Sequence, residues 1–566
     1  MATESMRDIP KAAPHYRCVL SQTLITDDVL KYPYTGRGTD SDPYIVDWIP
    51  GDPRNPMTLP KAMKWVITII MALGTLAVAF ASTAFSGALP QIQKDFGASK
   101  ELSILTVSLF VLGFAIAPMT WAPMSEHFGR QALYIIMFGL LTVFGAASVA
   151  STNIQTLLIL RFLAAIFGSS SIVNSAGVIT DMFVAKERGV AMMVYSSAPF
   201  LGPTIGPIAG GFVAQYGGWR WVDGMTVIFT GVLWFIGVAL VPETYTPYLL
   251  KQRARKLESK TRKRYLSKLE IGKEDVKAST TFSTAIARPW IILVFEAIVL
   301  LLSIYTAIVY GILYLIFTAF PVVFEEERHW SQGVSGLSYV GVMMGQILSM
   351  FFYVFLEVKY QKGLAANPGK AKPEGRLQPA MIGAVLLPIG LFWFAWSTYP
   401  QIHWIVSILG GAVFGFGQVL LYISLTNYIV DAYTVYAASA LAANAILRGL
   451  FGAAFPLFTP YMYQNLGTQW ASSVPAFLAL ACTPLPFLFY TFGNSIRARS
   501  KYAAKAQMIT AAMLSDKIPA KRASHRSPEA EAVTVETSSV VGISAEALEM
   551  VHLVDTDSRE NKSREQ

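Results

Sequence analysis

The sequence predicts an all-α membrane protein with twelve transmembrane helices in two pseudo-symmetric six-helix bundles. Three observations predict it. Of 566 residues, 53% are hydrophobic and 14% charged, whereas a soluble domain carries roughly 25% charged residues. Stretches apolar enough to cross about 30 Å of hydrocarbon recur twelve times, in two groups of six separated by a long basic connection. Several residues also recur in the same order in the two groups, some 232 and some 250 positions later. The aromatic share of 13% suits lipid contact and interfacial belts. The same composition excludes a disordered chain, a disulfide-rich secreted scaffold and a typical nucleic-acid binder.

Residues 1–64 lack an apolar core segment, so they read as a polar N-terminal tail and not a signal peptide. The first bundle covers 65–241, with spans at 65–89, 102–121, 132–150, 157–179, 190–213 and 221–241. The connection 242–287 contains KQRARKLESKTRKRYLSKLE, a helical composition with a strong positive charge. The second bundle covers 288–491, with spans at 291–319, 334–356, 379–397, 403–427, 438–461 and 471–491. Residues 492–566 read as a largely disordered tail, with Ser524 and Ser527 as candidate phosphorylation sites. Lys and Arg crowd the central linker, while the loops on the opposite side hold only Lys94, Lys100, Arg220 and Arg328. That asymmetry places both termini in the cytoplasm, and the basic linker could touch anionic inner-leaflet lipid. Cys18 and Cys482 lie in a tail and a span, so no disulfide framework is expected. Six scattered histidines show no metal-ligand spacing. No metal and no cofactor is expected.

The repeat is visible residue by residue. Ser99, Ser103 and Gly113 recur 232 positions later as Ser331, Ser335 and Gly345. Asp181 and Gly202 recur 250 positions later as Asp431 and Gly452. Transporters are commonly built from such repeats, with the substrate site near the midplane between them.

Three segments carry chemistry. The short loop APMSEHFGR at 122–130 needs a tight turn, which Gly129 permits. Glu126 and Arg130 could pair there and lock one conformation. The fourth span carries Arg161, and a charge inside hydrocarbon is expected to be paired or functional. Its alternative is to snorkel to the interface. In the fifth span, small residues fall at Ala198, Gly202, Gly206 and Gly210, with Gly211 beside them. One smooth helix face results, against which another backbone can pack closely. Pro203 and Pro207 each remove a backbone donor and bend that helix.

These segments resemble the signature motifs of the major facilitator superfamily. The loop 122–130 is similar to G-x-L-a-D-r-x-G-r-k, with Glu126, Gly129 and Arg130 on its acidic, glycine and basic positions. Ala122 and Gln131 depart from it. Arg161 matches the arginine of R-x-x-q-G, although Ala164 and Ala165 replace the Gln and Gly. Gly202, Gly206, Pro207, Gly210 and Gly211 match the antiporter motif G-x-x-x-G-P-x-x-G-G. Further stretches, among them PETYTPYLLKQRARKL and NYIVDAYTVYAASALAANAILRGLFGAAFPLF, resemble fungal twelve-span drug–proton antiporters, and the likeness covers most of 43–493. The resemblance implies the superfamily's fold and proton-coupled export of drugs, toxins or secondary metabolites. It also implies proton coupling at Arg161, a monomer and a plasma-membrane address.

Polar and aromatic residues within the spans are candidate substrate contacts: Asn174, Tyr195, Tyr310, Tyr314, Gln346, Gln418, Tyr422 and Asn444. A cavity with aromatic walls and few polar groups fits bulky, partly hydrophobic ligands, and such rings also accept cations. Intramembrane acids are scarce. Asp223 lies near the outer start of the sixth span, and Glu296 near the inner start of the seventh is the candidate proton carrier. Asp181, Asp431 and Glu126 read as cytoplasmic gate residues, and Arg448 is expected to pair with Asp431 or a helix end. The expected partners are a small-molecule substrate, protons and the lipid bilayer. A transporter of a defined metabolite such as a polyamine is the alternative, although few buried acids weigh against a polycation. The lack of H-E-x-x-H, G-x-S-x-G and Walker A motifs argues against an enzyme.

Overall fold

The computed structural model describes residues 14–271, 278–366 and 373–506. Among these, nine helices are long and apolar enough to cross a membrane, ten if the bent pair Lys100–Ile116 and Pro118–Phe128 is one span. Two features reconcile that number with the expected twelve. The fifth-span helix, Ala185–Gly217, carries Pro199, Pro203 and Pro207 and is correspondingly less apolar. The long helix Ala437–Cys482 is two helices, divided at Gly467, whose φ of 73° breaks the helical ladder. The chain is therefore consistent with twelve spans. The first (Lys61–Phe96) and seventh (Ala297–Glu327) run well past their expected ends.

Local signals set the helix starts. The Ser99 side chain accepts from the Leu102 amide and that of Asn153 from the Thr156 amide, satisfying donors that a helix N-terminus leaves free. In packing, the fifth span lies along the first and the eleventh along the seventh. The two halves meet where the second span faces the eleventh and the fifth faces the eighth. Large apolar side chains point away from these contacts, as at Phe235 (74% exposed) and Phe351 (70%). An outward-facing apolar surface of this kind is stable only against lipid.

Residues 14–60 and 500–506, which the sequence places in the tails, pack against the rest of the chain. Residues 14–60 pack onto the linker helix Thr246–Thr261, and strand β1 (Tyr44–Val46) pairs in parallel with β2 (Tyr265–Ser267). Val29, Val46, Leu250 and Leu257 form a small core between them. Arg253 and Asp52, each 1% exposed, form an ion pair, and Arg54 donates to the Glu243 carbonyl at 3.0 Å. The linker helix thus has an apolar and ion-paired face as well as a basic one. At the other end, the twelfth-span helix runs to Arg499, and Ala503 and Ala506 beyond it are buried. Ser524 and Ser527 lie outside the described residues.

Candidate functional site

Residues 79–84 of the first span touch three separate features. On one side lies the fifth-span glycine face. A β-carbon on Gly202 would sit 2.7 Å from that of Ala79, one on Gly206 2.8 Å from the Phe80 carbonyl oxygen, and one on Gly210 2.1 Å from that of Ala84. Only bare backbone fits there. Pro207 has no N–H to give to the Pro203 carbonyl four residues earlier. The Thr83 hydroxyl donates to that carbonyl instead, at 2.9 Å. Gly211 faces the opposite half, 2.6 Å from the Gln332 carbonyl oxygen by the same measure.

On the second side lies Arg161, 2% exposed. It does not snorkel. Its guanidinium pairs with Asp223 at 3.1 Å, donates to the Ala81 carbonyl at 2.9 Å and the Thr106 carbonyl at 3.2 Å, and stacks 3.6 Å over the Phe85 ring. Ser148 donates to the other oxygen of Asp223. A buried charge is tolerable only when paired and hydrogen-bonded in this way. Asp223 is thus the partner of Arg161, which sequence spacing did not reveal because 62 residues separate them.

The third side is the seam between the halves. The Ser82 and Tyr314 hydroxyls are 2.9 Å apart across it, and Tyr310 donates to Tyr314 at 3.4 Å. Thr204 of the fifth span donates to Gln346, which donates to Gln418. Phe200 meets Tyr422 edge to face, with ring centroids 4.9 Å apart. Six of the eight expected contact residues therefore gather here or beside it. Tyr195 donates its hydroxyl to the Ile172 carbonyl with Tyr422 and Arg448 among its neighbours. Asn174 and Asn444 are placed elsewhere. Asn174 donates to the Arg130 carbonyl near the linker, and Asn444 ties the eleventh span to the seventh through Thr306 at 2.6 Å.

The ion pairs on the linker side lie each within one half. Arg130 pairs with Asp181 at 3.3 Å and stacks on Tyr245, whose hydroxyl burial pushes up to about 12. Glu126 is exposed and is not its partner. Gly129, at φ 92°, turns the chain so that the Glu243 carboxylate caps the next helix, accepting from the Arg130 amide at 2.9 Å and the Gln131 amide at 3.1 Å. In the second half, Arg376 pairs with Asp431 at 2.9 Å and with Glu357. Asp431 is thus occupied, and Arg448 pairs with Tyr422 instead. Arg376 and Asp431 repeat the Arg130–Asp181 pair in the second half, but at offsets of 246 and 250, so a single offset does not lead from Arg130 to Arg376. On the face away from the linker, bonds cross the halves: Gln91 to Gln332 at 3.2 Å, Gly333 to Gln215 at 2.9 Å and Lys100 to Glu326 at 3.5 Å.

Glu296, the expected proton carrier, is buried at the linker end of the seventh span. Its carboxylate accepts from the Tyr433 hydroxyl at 3.0 Å, the Tyr502 amide at 2.9 Å and the Ser500 hydroxyl. These contacts hold the chain beyond the twelfth span against the seventh. They lie within one half, away from the seam.

A fold of two six-helix halves meeting at a polar, aromatic seam is that of a secondary transporter. The Major Facilitator Superfamily profile matches residues 71–456, and this chain belongs to that superfamily. It is a multi-pass membrane transporter and not an enzyme. An MFS-type efflux pump (MFS2) of Trichophyton rubrum is 54% identical over 89% of this chain and 85% of its own length. A major facilitator superfamily multidrug transporter (mdrA) of Aspergillus fumigatus is 51% identical over 88% and 82%. Among solved structures, the partially occluded inward-open xylose transporter XylE from E. coli aligns with a TM-score of 0.54. It covers 76% of this chain and 98% of XylE at 17% identity, a likeness of fold alone.

Proposed function

We propose that this chain exports small, partly hydrophobic organic molecules across a membrane, and the plasma membrane in particular, in exchange for protons. The relatives named as an efflux pump and a multidrug transporter support the direction. The observation that carries the proton reading is the buried Arg161–Asp223 pair and its bond to Ala81, one residue from the Ser82–Tyr314 contact. Protonating Asp223 would neutralise the carboxylate and leave Arg161 with carbonyl partners only. Residues 79–84 would then shift along the glycine face of the fifth span, where bare backbone lets the helices slide once the Thr83–Pro203 bond gives. The same residues bear on the seam, so substrate and proton occupancy would be linked through one stretch of helix. Arg130–Asp181 and Arg376–Asp431 would act as gate pairs on the linker side.

Among the described residues the seam contains a cation, Arg448, with no carboxylate partner, which is the reverse of what a polyamine site needs. Accumulation of a compound panel in cells stripped of their own pumps tests the reading, with and without this chain and with and without a protonophore. Reduced accumulation that the protonophore restores is expected. Reduced accumulation indifferent to the protonophore would remove the proton from the mechanism. A fluorescent fusion tests the plasma-membrane address.

A further inference from the structure

We infer that the seam recognises an anionic group on its substrate, and that Arg448 is the residue that binds it. The proposal rests on the export reading and adds a substrate class: amphipathic organic acids, with a carboxylate on an aromatic or otherwise apolar body.

The argument starts from charge balance. Arg130, Arg161, Arg253, Arg376 and Arg497 are all buried or half-buried and each has a carboxylate partner, while the buried Arg54 is completed by the Ser21 and Glu243 carbonyls. Arg448 is half-buried in the eleventh span and has none among the described residues. Its Nη1 donates to the Tyr422 hydroxyl, and its plane stacks 4.7 Å from the Tyr310 ring centroid and 4.9 Å from that of Tyr422. Its Nε is buried with no acceptor. The nearest acid by sequence on its own side, Asp431, is taken by Arg376. The Tyr422 hydroxyl and the two rings satisfy part of the guanidinium, and the Nε edge is left for an acceptor that a ligand can bring. Its planar fork, with one edge committed to Tyr422, matches a carboxylate in two-point contact.

The surroundings define the rest of the ligand. Tyr310 and Tyr422 flank the cation, and Phe200 reaches Tyr422 from the first half. An aromatic body can stack on these rings while its acid meets Arg448. Such a ligand would touch both halves at once, as alternating access requires. A cationic ligand would meet like charge in a low dielectric.

The test uses the full chain in detergent and paired probes with one body: naphthalene-2-carboxylate and naphthalene-2-carboxamide. Equilibrium binding is read by tryptophan fluorescence. The acid should bind about ten-fold tighter than the amide, the increment of a charge-assisted bond. Arg448→Gln should abolish that difference, the acid losing more affinity than the amide. Arg448→Lys keeps the charge without the fork and should weaken the acid several-fold, a readout that survives if the Gln variant does not fold. Equal binding of acid and amide by the wild type, an unchanged preference in both Arg448 variants, or no binding of either probe would overturn the proposal. Acid preference with no reduction of accumulation in cells would leave the anion site standing and remove the export reading instead.

Discussion

Asp223→Asn separates the structural from the proton-coupling role of the buried pair. The substitution is nearly isosteric and keeps an acceptor for Arg161, but it removes the charge. Arg161 would retain its bonds to the Ala81 carbonyl at 2.9 Å and the Thr106 carbonyl at 3.2 Å and lose its counterion. Breaking a buried pair on one side costs about 3–5 kcal/mol. The retained hydrogen bonds put this case at about 3 kcal/mol, the low end of that range. Replacing both partners with apolar residues of similar volume, Arg161→Met with Asp223→Leu, removes the uncompensated charge and is often neutral or stabilising. The assay is transport in liposomes run two ways. Exchange of labelled for unlabelled substrate at equilibrium needs alternating access alone. Uphill movement driven by a pH gradient also needs proton coupling. Asp223→Asn should exchange but not concentrate substrate, and the double variant should recover thermal stability without recovering uphill transport. Gradient-driven accumulation at the wild-type rate in the double variant would refute a coupling role for the pair and leave it a packing feature.

Other residues give sharper structural tests. Gly210→Ala puts a β-carbon 2.1 Å from the Ala84 carbonyl oxygen, about 1.3 Å short of the 3.4 Å at which ordinary contact begins. An overpacking penalty of about 1–3 kcal/mol and slowed exchange should follow; wild-type exchange rates would show that the first and fifth spans do not need this approach. Glu243→Gln removes the charged cap on the Arg130 and Gln131 amides and should lower stability by about 1 kcal/mol, read as a drop in melting temperature of purified protein. Arg253→Ala strands Asp52 without its partner and should cost about 3–5 kcal/mol locally. Faster proteolysis within residues 14–60, with the membrane core intact, is the readout. Glu296→Gln should loosen the chain after Arg499 yet leave gradient-driven transport working; loss of proton coupling in that variant would return Glu296 to the role its burial first suggested.

How much of this was legible beforehand depended on the range of the interaction. Span positions follow from local composition, and the glycine face of the fifth span from a four-residue period, so both were readable from the chain. The lone arginine in the fourth span was readable as well, because a charge in hydrocarbon is rare whatever surrounds it. Partner choice was not. Glu126 is four residues from Arg130 and looked like its partner, yet the helix end turns it to the exterior while Asp181, 51 residues on, meets the guanidinium. Glu296 looked like a proton carrier because it is an isolated acid near a span. Its three donors come from residues more than 130 positions away. Residues 14–60 read as a tail because they lack an apolar core segment, and their small core is completed by the linker helix.

The sequence by itself determined the class of molecule. Membrane insertion is set by the transfer free energy of each stretch, a sum over neighbouring residues, and the repeat adds the two-half plan. Only the tertiary structure decided which charges neutralise which. Pairing energies depend on distances between helices far apart in the chain, and a carboxylate serves a single guanidinium well. That matching satisfies Arg161 with Asp223 and Arg376 with Asp431, and leaves Arg448 at the seam with no carboxylate partner among the described residues.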